Sequence, residues 1–441
     1  MKWPFMSRPR TRREFLALSA KASLAYPTLN FGFALMSCGG GGSSSQPPTP
    51  PTSDDEFLDQ IQRASFQFFW EEAGATTGQV KDRALAAGGD IRTISSIAAT
   101  GFGLAALCIG HKRGYGDPTQ IQARVSATLS FLLNSLENIN GFFYHFLDMN
   151  TGARAFNCEL SSIDTSILIC GVLTCRQYFQ DSQIQSMATQ IYNRVNWPWM
   201  LNGGAAFAMG WTPEKGFIEA RWDTYCELMM IYLLAIGSPT NPVPASSWDA
   251  FTRPSFTFQG ITYITNLTAP LFIHQYSHAW YDFRNRTDKY TNYFDNSVKA
   301  TRAHKLFCLS LQNQFKDYEE NLWGITSSDS AHGYVAWGGP PPMGEIDGSI
   351  VPCAAGGSLP FLPTDCIAVL RNIRSQYPKA WQRYGFVDAF NPLTGWYDPD
   401  VIGIDVGITM LMAENQRTQF IWNTLMTNAE ARSAFKTVGL K

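Results

Sequence analysis

Two stretches of the chain, 161–175 and 222–237, are apolar on nearly every helical face. A surface helix needs only an apolar stripe, so a helix that is hydrophobic all round must be covered on every side. Such segments call for a second layer of helices around them. The rest of the chain supplies it. Apolar residues recur at helical spacing over roughly 56–72, 94–113, 119–137, 161–180, 182–194, 222–237, 291–315, 365–378, 405–424 and 427–437, with weaker segments between 245 and 280. Runs with the two-residue alternation of a strand are few and short, the best being 142–146 and 260–264. No internal repeat points to a solenoid. The expected fold is all-α: two concentric rings of helices, an (α/α)6 barrel, with long aromatic-rich loops at one end.

The first fifty or so residues read differently. Arg12-Arg13 precede a short apolar stretch broken by Lys21, Pro27 and Asn30. That is the pattern of a twin-arginine export signal, and the stretch falls short of the roughly 20 apolar residues that span a bilayer. Leu35-Met36-Ser37-Cys38 has the form of a lipobox, with Cys38 the residue to be lipidated. A Gly/Ser/Pro tether follows, of the composition that stays extended and flexible. The expected organisation is a signal peptide over 1–38, a linker over 39–54 and one catalytic-sized domain over 55–441. Its expected location is periplasmic or cell-surface, on a membrane only through the lipid anchor.

Acids and bases nearly balance, with a formal charge of −2, so the composition gives no basic face for nucleic acid. A neutral substrate and a monomer are expected. Of nine cysteines, the eight beyond Cys38 mostly sit in apolar runs, where a free thiol behaves as a small hydrophobe, and no essential disulfide is expected. The six histidines and the cysteines form no dense metal-ligand motif in the sequence, and neither a metal nor another cofactor is expected.

The chemistry-bearing feature is acids embedded in apolar helical sequence, where carboxylates are rare unless paired or functional. Glu227 heads the apolar run 228–234, and Asp223 lies four residues earlier, on the same face of the expected helix 222–237. Two carboxylates on one buried face would push one pKa up, as a general acid requires; Asp223 could instead cap the helix. Asp164, with Glu159 before it, and Asp405 both stand where helices should begin, positions that suit capping or substrate contact equally. Asp347 is a loop acid with a turn-forming alternative. The loops also hold Trp211, Trp280, Tyr281, Phe283, Trp323, Tyr334, Trp337, Trp396 and Tyr397. Such rings either stack on sugar faces or pack the loops onto the barrel. Serine-hydrolase elbow, P-loop and dinucleotide fingerprint are missing from the sequence, and Gly101-Phe102-Gly103 lacks the third glycine of the last. A carboxylate-rich, aromatic-lined site of this kind matches glycoside hydrolysis.

From Phe57 to about Leu440 the chain resembles the glucoamylase-like family that includes glycoside hydrolase family 144 β-1,2-glucanases and a domain of cyclic β-1,2-glucan synthases. The resemblance rests on the stretches 98–104, 141–148, 159–165, 222–227, 236–239, 323–329, 358–361, 384–391, 403–407 and 412–415. It implies an (α/α)6 barrel that cleaves β-1,2-glucan internally, with inversion. It further implies Glu227 as the acid, with Glu219 a competitor, and Asp405 as the partner carboxylate. Glu159, Asp164, Asp223 and Asp347 would then contact sugar, together with Trp222, Tyr225, Trp323, Trp337 and Trp396. One departure is Val406-Gly407-Ile408, beside Asp405, where the family more often has Gln-Gly-Pro. The alternatives are an exo-acting sophorose-releasing hydrolase, a β-1,2-glucan transglycosylase, and a glucan-binding surface lipoprotein without catalysis.

Overall fold

A computed structural model of the protein describes residues 53–266 and 270–441; the export segment, the tether and Cys38 lie outside the described residues. The chain alternates outer and inner helices. Outer α1 (Asp54–Glu71) leads to inner α2 (Ile97–Arg113), and α3 (Pro118–Asn134) to α4 (Ser162–Tyr178). Next, α5 (Ser182–Asn193) and the short α6 (Trp197–Leu201) lead to α7 (Met229–Ile236). Two 3-10 turns and a hairpin (Ser255–Phe258 with Ile261–Ile264) precede α8 (Tyr276–Trp280). The remaining pairs are α9 (Tyr293–Ser310) with α10 (Pro352–Gly356), and α11 (Pro363–Gln376) with α12 (Gly403–Thr418). Two further helices, α13 (Phe420–Leu425) and α14 (Ala429–Thr437), close the chain.

The two rings differ in burial as their sequences require. Every residue of α7 is buried, and α4 is buried from Ser162 through Arg176, whereas α5 buries only Ile184, Ala188, Ile191 and Tyr192 along one stripe. Neighbour packing closes the inner ring: α2 on α4, α4 on α7, α7 on α8, α8 on α12, and α12 back on α2, with α10 against α12.

The tightest seam is α2 on α4. A Cβ on Gly171 would lie 2.2 Å from the carbonyl oxygen of Gly101, and one on Gly101 2.6 Å from that of Ile167. Both obstacles are backbone, so a methyl group there can be accommodated only by parting the helices. Gly171→Ala is expected to cost about 3 kcal/mol, the upper range for overpacking. Equilibrium urea unfolding reads this directly, and an unchanged midpoint would refute the seam.

Short antiparallel bridges tie the segments that enter the inner helices. Ile94–Ser96, entering α2, pairs with Phe146–Asp148 on the way to α4. Leu160–Ser161, entering α4, pairs with Gly210–Thr212, and Asp400–Ile402, entering α12, pairs with Arg83–Leu85. The N-termini of these inner helices therefore share one end of the barrel.

Three sequence expectations change. The helix expected over 222–237 begins only at Met229, because the backbone before it is engaged elsewhere: Tyr225 N donates to Thr252 O, and Thr252 N to Asp223 O. The helix expected over 405–424 is divided at Gln419, whose φ of 60° ends α12. The expected strand over 142–146 is a bridged loop, with regular pairing starting at Phe146. The eight described cysteines are buried and unbridged, although Cys108 and Cys175 bring their Sγ atoms to 3.6 Å across the α2–α4 seam.

Candidate active site

Four of the acids singled out from sequence, Glu159, Asp164, Glu227 and Asp405, gather at the shared N-terminal end of the inner ring. Asp164 lies in the first turn of α4 and is fully buried. It is not the cap: Ser161 is, accepting from Asp164 N (3.2 Å) while its hydroxyl donates to Asp164 Oδ2 (2.5 Å). His145 bridges the pair, with Nδ1 3.0 Å from Glu159 Oε1 and Nε2 3.6 Å from Asp164 Oδ2. Glu227 is fully buried in the turn that delivers α7, and Asp405 occupies the first turn of α12.

Helix α8 draws the last two together. Tyr276 donates its hydroxyl to Asp405 Oδ1 (3.2 Å), and Ser277 donates to the main-chain carbonyl of Glu227 (2.6 Å). These are consecutive residues, about 3.8 Å apart at Cα. The turn carrying Glu227 and the side chain of Asp405 thus share one support.

Asp223 does not join them. It is exposed, precedes the helix instead of lying on it, and is not the cap of α7, whose N-cap is Leu228. The expected two-carboxylate helical face is therefore corrected: the backbone bridge at 223–225 replaces the helical turn that would have aligned Asp223 with Glu227. Glu219 is likewise exposed. Asp347 accepts from Ser349 N (2.9 Å), which is the turn-forming role.

The aromatic candidates divide by burial. Trp222 and Tyr225 are 1% and 0% exposed, and Trp323 and Trp337 are 0% and 2% exposed, so none presents a face to a sugar. This corrects their expected role as sugar contacts. They fasten the wall instead: Trp222 Nε1 donates to Ser162 Oγ (2.8 Å), Trp337 Nε1 donates to Ser328 Oγ (3.1 Å), and Tyr225 reaches His274. Trp280, Tyr281 and Phe283 are core residues too. Trp396 and Trp211 remain half-buried.

Beside Asp405 stands an acidic group that the sequence reading did not assign. Asp388 and Asp405 line one cavity with Cys353, Tyr384 and Thr409. Asp388 Oδ2 accepts from Asp329 N (2.7 Å), and Asp329 pairs with Arg83 (2.5 Å). Asp398 Oδ1 accepts from Asp400 N (3.0 Å), and Arg92 clamps Asp400 with two bonds of 2.7 Å. The available signal was Asp388 embedded between Val387 and Ala389-Phe390, an acid in an apolar run like Glu227. Burial, then the charges of Asp405, Asp329 and Asp398, hold the Asp388 carboxyl well above the usual carboxylate range. Burial and the Asp329 charge push Asp398 up to about 7.

Two sets of three side chains, His145/Glu159/Asp164 and Asp329/Asp388/Asp398, bring ligand atoms within 4.8 Å of one another, close enough to hold a cation. In the second set Arg83 already supplies one positive charge.

A carboxyl whose pKa rises on folding keeps its proton in the native state while the unfolded chain has lost it. Its contribution is full below the unfolded pKa near 3.8 and is lost as pH climbs toward about 7. Asp398→Asn is therefore expected to flatten the fall in stability between about pH 4 and pH 7, by up to about 4 kcal/mol. Urea midpoints of the parent and the variant across that range provide the test, with parallel profiles as the contrary result.

The comparisons with known proteins agree with this architecture. The Glycoamylase family model, a glucoamylase-type domain, matches residues 219–429. An exo β-1,2-glucooligosaccharide sophorohydrolase (non-reducing end) of Parabacteroides distasonis is 29% identical over 425 residues, covering 87% of this chain and 58% of its own. The chain thus spans little more than half the length of that relative. The endo-β-1,2-glucanase of Chitinophaga pinensis, solved with sophorotriose and glucose, superposes with a TM-score of 0.80 at 27% identity, over 89% of this chain and 99% of its own. The endo-β-1,2-glucanase of Talaromyces funiculosus, at 10% identity and a TM-score of 0.65 over 87% of each chain, shares the fold alone. In fold, sequence and ring architecture alike, the chain is similar to the glucoamylase-like family.

Proposed function

We propose that this protein is a glycoside hydrolase that cleaves β-1,2-glucan, with Glu227 as general acid and Asp405 on the base side. The observation that carries the reading is the support of both by adjacent residues of α8, at the end of the barrel where the inner helices begin. The similarity to two bacterial β-1,2-glucan hydrolases supplies the substrate class. In the reaction, Glu227 gives its proton to the glycosidic oxygen as the bond to the anomeric carbon breaks. Water attacks that carbon from the opposite face, and its proton passes to Asp405, so the configuration inverts. Glu159 and Asp164, joined through His145, offer acceptors for sugar hydroxyls.

The test is to incubate the purified protein with linear β-1,2-glucan and follow product size and anomeric form. Free reducing sugars born as the α-anomer are expected from an inverting cut of a β-linkage. A spread of lengths marks internal cleavage, and sophorose alone marks action from an end. Cyclic products would establish transfer instead, and binding without products would leave a glucan-capturing protein. Export by the twin-arginine route and lipidation of Cys38 complete the proposal, and Cys38→Ser should abolish incorporation of a labelled fatty acid.

A further inference from the structure

We propose that Phe156 is a platform on which a glucose ring of the substrate stacks at the rim of the site, an inference that rests on the glucan reading above. Phe156 lies on the loop between Phe146–Asp148 and Leu160–Ser161, the segment that enters α4 at the acid-bearing end. The residue is 56% exposed, against the near-complete burial of Trp222, Tyr225, Trp323 and Trp337 in the wall. Its backbone φ is 55° and that of the following Asn157 is 49°, in the left-handed region. Asparagine tolerates that region, but a bulky aromatic residue rarely enters it.

The surrounding loop imposes the conformation. Arg154 donates from Nε to Cys158 O and from Nη2 to Asn157 O, each at 2.6 Å, and Ala155 N donates to Phe146 O (3.0 Å). The same guanidinium is anchored on Glu214 (2.6 Å). A strained residue held firmly with its apolar ring in water is the signature of a functional position rather than a packing one.

The ring is also connected to the acids. Phe156 meets Phe146 edge-on at 5.9 Å, and Phe146 stacks on His145 at 4.0 Å, the imidazole that bridges Glu159 and Asp164. Phe146 and His145 are thus the two rings between Phe156 and Glu159. The flat apolar face of a sugar suits an uncharged aromatic ring, and a polar edge is not needed for that contact.

Phe156→Ala is expected to raise KM for linear β-1,2-glucan about 5- to 10-fold, with kcat within about 2-fold, and Phe156→Trp to restore the parent value. Phe156→Gly should raise KM equally without lowering Tm, because glycine occupies positive φ at no steric cost. A ring that merely packs would give the reverse, a lower Tm with KM unchanged, and that result overturns the proposal. Affinity electrophoresis in gels containing β-1,2-glucan keeps this separate from catalysis. Retardation of the parent and its loss in Phe156→Ala are expected even if no glucan is cut. Equal mobility of parent and variant, or no retardation of the parent, overturns the platform.

Discussion

Glu227→Gln is expected to lower turnover on β-1,2-glucan by about 10²- to 10⁴-fold, the range for removing a positioned general acid. The substitution keeps the shape of a fully buried side chain and the main-chain carbonyl that accepts from Ser277, so circular dichroism and Tm should match the parent. The glycosidic oxygen is a poor leaving group unless it is protonated as the bond breaks, and an amide cannot deliver that proton. Substrate affinity should change little, since the loss falls on the transition state, so kcat and kcat/KM should drop together. Retained activity would remove Glu227 from the chemistry and return attention to the exposed Glu219.

Asp405→Asn should produce a second loss of about 10²- to 10⁴-fold, by leaving the attacking water without an acceptor for its proton. Asparagine can still accept from Tyr276 through its carbonyl oxygen, so the first turn of α12 should persist. The more discriminating measurement is the Glu227→Gln/Asp405→Asn double variant. Two groups that act in one transition state are strongly non-additive, and the double loss should hardly exceed the larger single one. Losses that multiply would show that the two acids serve separate steps. Asp388, on the same cavity as Asp405, would then become the residue to examine.

The rings of helices could be foreseen because burial leaves a direct mark on sequence. A helix such as α4, apolar on all sides, has no stable place except inside another layer. The ends of the helices were less legible. The delayed start of α7 follows from a bridge between Thr224 and Thr252, residues far apart in the chain whose pairing no local pattern records. For the same reason Asp223 could not be separated from Glu227 by periodicity alone. The acids at helix starts, Asp164 and Asp405, were visible because polar residues interrupt apolar helices there, while Asp329, Asp388 and Asp398 come from three separate loop segments and converge only in space. The tryptophans gave the opposite error. A ring in a loop looks the same in sequence whether it greets solvent or closes a wall, and burial decided for the wall in Trp222, Trp323 and Trp337.

The shared direction of the inner helices has an electrostatic consequence. Helices α2, α4 and α12, of 17, 17 and 16 residues, all begin at the acid-bearing end. Each N-terminus carries a partial positive charge of roughly half a unit from its aligned peptide dipoles. The backbone itself therefore offsets part of the negative charge of Asp164 and Asp405, without mobile counter-ions. Fixed, buried dipoles are screened by salt far less than surface charges. A chain with a formal charge of only −2 can thus concentrate carboxylates at one mouth and still meet an uncharged polymer with little dependence on ionic strength.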